Sequence, residues 1–391
     1  MRKTNKIFYR KIQLSFEIKK PILAMGSQTK NTLCFAKENF AYLSPLHQDL
    51  ANPGDFKSFQ EDVKYFLKKT PKIIAYDLHP EYQSTKYALN LYAIRYTMPA
   101  GRQALYAIQH HHAHIASCLF DNNIEKKVIG ICFDGTGFGL DTHLWGAEFF
   151  IADFSKFRRI AHLEYIPLIG GRKAIEEPWR VGFAWLYKIY KDRLFKLDID
   201  FVKRLERKKC QIFTQMLKNN LNCPLSSSMG RLFDSVSSLL GLVEISHFEA
   251  EPAIELEKKA GLITNHKSPT TNYSYKINLC NDNYIIDPKP MFKDIIKDLE
   301  KKVSVNEIAL KFHYTVIGMM KDACRLIRRK TRLNTVVLSG GVFQNKILSE
   351  EGRRLLEKEG FKVFRHSRFS TTDSSISLGQ ALIANKLYRE V

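Results

Sequence analysis

Val128 to Phe150 reads VIGICFDGTGFGLDTHLWGAEFF: an apolar β-rich run, a turn with glycines at 135, 137 and 139, and a second β-rich run. Ile22 to Ala36, ILAMGSQTKNTLCFA, has the same layout of strand, polar turn and strand, which suggests a duplicated core. The echo extends outward. Lys72 to Tyr76 (KIIAY), a polar turn and a helix-like run through Tyr92 are matched by Thr335 to Leu338 (TVVL), SGGVFQN and Leu348 to Glu359. Ala104 to Gln109 with the helix after it is matched by Lys362 to Arg365 with the helix ending near Leu387. Each half therefore reads as an α/β layer on a partly parallel sheet. Two such lobes facing each other leave a cleft at the carboxyl ends of the strands, where open α/β sheets bind ligands.

The chain of 391 residues is long enough for two domains. The boundary is expected near Glu125, with residues 1–20 linker-like, 21–125 the first lobe and 126–391 the second. A mostly helical insertion runs from about 154 to 332, with an excursion at Tyr273 to Asp287 turned by Asn281-Asp282-Asn283. No run of eighteen apolar residues and no signal-peptide pattern occurs, so a cytoplasmic protein without a membrane partner is expected. The seven cysteines contain no Cys-x-x-Cys pair, which argues against a disulfide framework or zinc ribbon; Cys118 and Cys132, among apolar neighbours, read as buried thiols. Lysine plus arginine outnumber the acids by 61 to 40, a formal charge of +21. Most of these cations are dispersed. The dense runs Arg204 to Lys209 and Arg328 to Arg332 suit a solvated face, an RNA patch or a docking surface for an acidic partner.

The sharpest local feature is Gln109-His110-His111-His112-Ala113-His114, where a strand gives way to a helix. His110 and His114 are four apart, share a helix face and can bind one metal. Asp134 ends the apolar strand before Asp-Gly-Thr-Gly, and Asp373 occupies the position in the second half that corresponds to the histidines. Two imidazoles and two carboxylates suit Zn²⁺ or Fe²⁺ better than Ca²⁺. Gly135, Thr136 and Gly137 after Asp134 can turn their amides toward an anion, and so can Ser339-Gly340-Gly341 with Asn345 behind it at a helix start. Ser227 to Asp234 (SSMGRLFD), with Gly230 and Asp234, and the acidic Glu249 segment make a third candidate wall.

Together QHHHAHIAS, FDGTGFGLDTHLWGAEF, GG..AI.EPWR, SSMGRLFD, LSGGVFQN and TDSSISLGQA resemble the HypF carbamoyltransferase family, in its order, and DLHPEYQSTKYA (Asp77 to Ala88) is also similar to it. The match covers about Pro21 to Leu387. The resemblance implies a two-lobed, duplicated actin and sugar-kinase-like (ribonuclease H-like) α/β fold, with a largely helical insertion in the second lobe, in the branch shared with the tRNA threonylcarbamoyl transferases. It implies a divalent metal (Zn or Fe) on His110, His114, Asp134 and Asp373, and ATP or carbamoyl-adenylate held by Gly230, Asp234, Glu249, Ser339, Gly340, Gly341 and Asn345. Asn345 and Asp234 are the expected contacts to base and ribose. Three positions depart from the family pattern: Ser374-Ser375 stand in place of glycines, Arg172 in place of an acid, and Ala250 in place of a glycine.

What the family does is pass a carbamoyl group from carbamoyl-adenylate to the C-terminal cysteine of HypE, toward the cyanide ligands of nickel–iron hydrogenase. A metal as Lewis acid, with Asp134, Gly135, Thr136 and Gly137 as the residues at the reacting group, would meet the developing charge. The acceptor supplies the nucleophile. No acylphosphatase-like domain, zinc finger or adenylate-forming domain is recognised in the sequence, so the expected partners are a HypE-like acceptor and a separate adenylate-forming protein that uses carbamoyl phosphate. Carbamoylation of a small-molecule hydroxyl, and a non-catalytic ATP-binding scaffold, are the alternatives. A tRNA-modifying role suits the charge but not DLHPEY or DGTG, and nucleic acid is not an expected partner.

Overall fold

The computed structural model describes residues 9–96, 104–263 and 272–388. Its first sheet contains β1 (Arg10–Ala24), β2 (Cys34–Leu43), β3 (Ile73–Asp77) and β4 (Ala104–Ile108), in the spatial order β2-β1-β3-β4. The hairpin β1/β2 is antiparallel, with Ile22 opposite Ala36, and β1, β3 and β4 run parallel. The second sheet is built on β5 (Val128–Phe138), β6 (Leu144–Ala152), β7 (Phe157–Leu163), β8 (Thr335–Ser339) and β9 (Lys362–Arg365), in the order β7-β6-β5-β8-β9. Here too a hairpin, β5/β6, is antiparallel, and β8 and β9 run parallel to β5. The second sheet thus repeats the strand order of the first and adds β7 at one side. The duplicated α/β fold expected from the sequence is the one observed.

Two details differ from the expected boundaries. Residues 10–20, within the segment expected as a linker, belong to β1, where Ile12, Leu14 and Ile18 alternate inward with polar and charged residues outward; residues 1–8 lie outside the described residues. The stretch expected as a helical insertion opens with β7, a full member of the second sheet. Beyond it come helices including Trp179–Tyr190, Met229–Leu239, Glu251–Gly261 and Val305–Thr331. The hairpin Lys276–Cys280/Asn283–Asp287 joins β7, and positive φ angles at Asn281 and Asp282 make its two-residue turn.

The helices His110–Asp121 and Ile376–Leu387 lie between the two sheets. The first is buried on all sides and packs on β5, β6 and β8 of the second sheet, although it follows β4 of the first. The last helix packs on β1, β2 and β3 and is tied to the first sheet by hydrogen bonds: the amide of Gly26 donates to Gln380 Oε1 (2.9 Å) and that of Lys19 to Asn385 Oδ1 (3.0 Å). One apolar core runs through β1, both helices and the near face of the second sheet.

The two central helices touch at Gly379, where an added Cβ would sit 2.0 Å from the carbonyl oxygen of Ala113. Alanine has the better helix propensity by about 1 kcal/mol, but the contact is with backbone, and overpacking of this kind costs about 1–3 kcal/mol. Gly379→Ala is therefore expected to lower the midpoint of thermal unfolding; a midpoint equal to or above wild type would show that the crossing has slack.

Candidate metal and nucleotide site

Gln109 caps the first central helix, accepting the His112 amide (2.8 Å) and donating to the Phe138 carbonyl (3.2 Å), which fixes where the histidines start. Its first turn presents His110 and His114 toward the end of β5. There the β5/β6 pairing is broken between Phe133 and Gly137, and Asp134, Gly135 and Thr136 bulge out of the ladder. Asp373 comes from the turn that leads into the last helix. One ligand atom from each of His110, His114, Asp134 and Asp373 lies within 4.8 Å of the others. His110 Nε2 is 3.3 Å from Asp134 Oδ2 and 3.8 Å from Asp373 Oδ1; His114 Nε2 is 3.7 Å and 3.4 Å from the same two oxygens.

The electrostatics of this cluster ask for a cation. His110 Nδ1 donates to the carboxylate of Asp77 at 2.7 Å. In the neutral imidazole Nε2 is then a bare lone pair facing two further carboxylates. Burial disfavours the charged form of His110, yet the charges of Asp77 and Asp373 and its hydrogen bonds outweigh that and hold its pKa well above the usual histidine value. Burial likewise works against ionised Asp134, but its contacts with His110 and His114 keep its carboxyl well below the ordinary range. Neither ring nitrogen of buried His114 has a hydrogen-bond partner among the described residues. His114 Nε2, without a hydrogen bond and facing two carboxylates, is a group that a divalent ion with mixed nitrogen and oxygen ligands would satisfy, so the donor set fits a metal.

His111 and His112 take other work. His111 stands against Trp145 and Phe150, and burial, with His110 nearby, holds its pKa well below the usual value; His112 bonds the Asp153 carbonyl at 2.7 Å. Asp373 is steadied by its neighbours: Thr32, in the connection between β1 and β2, donates to the Ser374 carbonyl (2.8 Å), and Ser375 Oγ lies 3.2 Å from Ser117 Oγ on the first central helix. Of the two serines, Ser375 therefore helps to hold the turn through its hydroxyl, while Ser374 does so through its backbone carbonyl.

Gly230, Gly340 and Gly341 gather around Asp134-Gly135. The Gly341 amide donates to Asp134 Oδ1 (3.1 Å), and Ser228, which caps the helix Met229–Leu239, donates its hydroxyl to the Gly135 carbonyl (2.6 Å). Gly340 has φ +98°, and a Cβ there would meet the Phe133 carbonyl oxygen at 2.3 Å, so no other residue fits. At Gly135 a Cβ would meet nothing within 4 Å, which leaves a hollow next to Asp134. The start of the helix Met229–Leu239 adjoins Gly135, since a Cβ at Gly230 would lie 3.0 Å from its Cα, and a helix N-terminus favours an anion.

The remaining expected nucleotide contacts are placed differently. Ser339 is buried with its Oγ donating to the His114 carbonyl (3.0 Å). Asn345 caps the helix Lys346–Lys358 through Leu348, and its Nδ2 donates to His313 Nε2 (3.0 Å). Glu257 already takes the Lys346 amide (2.7 Å), so that helix start is committed to protein groups. Asp234, buried against Arg231 at 2.5 Å, is pushed up to about 6 by burial against the pull of the guanidinium. Glu249 stands outside the cluster, 66% exposed, and pairs with Lys30 of the first lobe at 2.9 Å. Ala250 adopts φ +63°, a conformation in which glycine is unstrained, and Arg172 is a surface residue paired with Glu176.

Residues 130–380 match the family profile described as Carbamoyltransferase, Kae1-like Domain, second subdomain, and residues 17–121 match the HypF Kae1-like domain. Carbamoyltransferase HypF of Synechocystis sp. is 33% identical over 390 residues, covering 95% of this chain and 48% of the relative. A Carbamoyltransferase HypF homolog of Cupriavidus necator is 31% identical over 379 residues, covering 93% of this chain and 91% of the relative. The chain spans about half the length of most such relatives, HypF2 of Cupriavidus necator (46%) among them. A crystal structure of full-length HypF in the phosphate- and nucleotide-bound form superposes with a TM-score of 0.86 at 37% identity, over 97% of this chain and 57% of that one.

If the four-residue cluster holds an ion, Zn²⁺ at a hundredfold excess over its dissociation constant should stabilise the protein by about 2.7 kcal/mol, read as a rise in the thermal midpoint. His114→Ala should abolish that rise. An equal rise in the variant would place the ion elsewhere.

Proposed function

We propose, from the premise that this chain belongs to the HypF carbamoyltransferase family, that it moves a carbamoyl group from carbamoyl-adenylate to the thiol of a C-terminal cysteine on a HypE-like acceptor protein. The thiocarbamate so formed would serve cyanide-ligand synthesis for nickel–iron hydrogenase. The observation that carries the proposal is the meeting of His110, His114, Asp134 and Asp373 beside the open hollow at Gly135.

Carbamoyl-adenylate is a mixed anhydride. The acceptor sulfur attacks its carbonyl carbon, the bond from that carbon to the phosphate oxygen breaks, AMP leaves with the electron pair, and the thiol proton passes to solvent. His110, His114, Asp134 and Asp373 would hold a divalent ion, Zn²⁺ or Fe²⁺, which supplies Lewis-acid polarisation of the carbonyl. The chain's own groups do the rest. Backbone amides of Gly135 and Thr136, in the bulge where the strand ladder is broken, and of Gly137, where it resumes, would be donors for the negative charge on oxygen. The phosphate lies toward the start of the helix Met229–Leu239, where Gly230 packs on Gly135.

Among the described residues no cysteine is poised as a nucleophile at this place. Burial pushes the thiols of Cys118 and Cys132 far up, and exposed Cys280 is on the distant hairpin. The carbamoyl-adenylate comes from an adenylate-forming partner that uses carbamoyl phosphate and lies outside these 391 residues.

Incubated with such a partner, a HypE-like acceptor, ATP and carbamoyl phosphate, the protein should add one carbamoyl group to the acceptor's C-terminal peptide, seen by mass spectrometry. His110→Ala should abolish the product. An unmodified peptide alongside a positive full-length HypF control would overturn the proposal, and a carbamate found instead on a small-molecule hydroxyl would change the acceptor class. Gly135→Ala should leave the thermal midpoint unchanged, since no protein atom is crowded, yet slow transfer on the order of 100-fold by displacing the acyl group. An equally active, equally stable variant would mean the hollow is not used.

A further inference from the structure

We propose that Asp77 is the positioning residue of the site: by binding Nδ1–H of His110, it fixes the tautomer in which Nε2 offers its lone pair to a divalent ion. The inference rests on the reading of His110, His114, Asp134 and Asp373 as a metal site. Asp77 ends β3, opens the Asp77 to Tyr82 turn and is fully buried.

Both carboxylate oxygens of Asp77 are held. Oδ2 accepts from His110 Nδ1 at 2.7 Å, and Oδ1 accepts the His79 amide at 2.9 Å. The backbone around it is held as well, because Thr85 donates to the Asp77 carbonyl (2.8 Å) and the Leu78 amide donates to Ile108 on the neighbouring strand (3.0 Å). An ionised carboxylate only accepts, so the proton of that bond belongs to Nδ1. His110 Nε2 is left to face Asp134 and Asp373.

The two imidazoles are therefore unequal. His110 is braced by a charged partner that raises its basicity as a ligand, while His114 Nδ1 has no partner among the described residues. The turn closes over the braced ring. His79 stacks on Tyr82 with centroids 4.1 Å apart and planes 5° apart, and Tyr82 meets His110 edge to face at 6.4 Å.

A buried Asp–His pair can be merely structural, and the first lobe contains one. His47 lies 3.1 Å from Asp62 and 3.2 Å from Asn31 Oδ1, so one carboxylate and one neutral amide oxygen face its two nitrogens. His110 differs because its second nitrogen is aimed at two further carboxylates, where only a proton or a metal ion completes it.

The test is the Zn²⁺ affinity of the full chain, measured by competition with a chromophoric chelator. Asp77→Asn should weaken binding roughly 10–100-fold, whereas Asp62→Asn, which breaks the structural pair, should lower thermal stability and leave affinity unchanged. Wild-type affinity in Asp77→Asn overturns the inference. Wild-type affinity in His110→Ala would instead overturn the metal site on which it rests. Should Asp77→Asn not fold, the ¹⁵N shifts of the histidines in the Zn²⁺-loaded wild type decide: a protonated Nδ1 on His110 supports the inference and a bare one refutes it.

Discussion

Burying several carboxylates together is unfavourable unless donors or positive charge meet each of them, and the junction between the two lobes is organised by that constraint. Asp77 is matched by His110 Nδ1 and the His79 amide, and one oxygen of Asp134 by the Gly341 amide. The other oxygen of Asp134 and one of Asp373 face the Nε2 atoms of His110 and His114 across 3.3–3.8 Å. Protons can fill that gap, and a divalent ion with mixed nitrogen and oxygen ligands would fill it as well.

The rest of the fold serves to bring those groups together. His110 begins one central helix, Asp373 introduces the other, and Asp134 sits at the bulge of the middle strand of the second sheet. Because the helices pass between the sheets and pack on each other at a glycine, a shift of either lobe would move the ligands apart. Glu249 and Lys30 add a surface ion pair across the lobes, worth little energetically but consistent with the same closed arrangement. The hollow at Gly135 opens beside the ion-seeking cluster, so an anionic substrate and a cation would meet at one place.

Much of this was legible in the sequence because its signals are local. Each hairpin is carried by a short β-rich alternation and its turn residues, and His110 and His114 by helical spacing. The alternation of Ile12, Leu14, Phe16 and Ile18 was equally local and marks a strand where a linker was expected. Other features depend on distance. His110–Asp121 is buried on all sides and Ile376–Leu387 through Asn385, yet polar residues such as the four histidines, Gln380 and Asn385 keep that burial, and the sheet each helix meets, from being read locally. Asp77 acts on a partner 33 residues away, so its motif could be seen but not its role. Likewise, nothing near Asn345 in the chain reveals that His313 and Glu257 would occupy the groups around that helix start.

Crystals of the protein loaded with Zn²⁺, measured on either side of the zinc absorption edge, test the central claim most directly. A single anomalous peak between His110, His114, Asp134 and Asp373, within coordination distance of all four, is the predicted result. Stoichiometric zinc bound anywhere else, with those four side chains still facing one another unliganded, would contradict it.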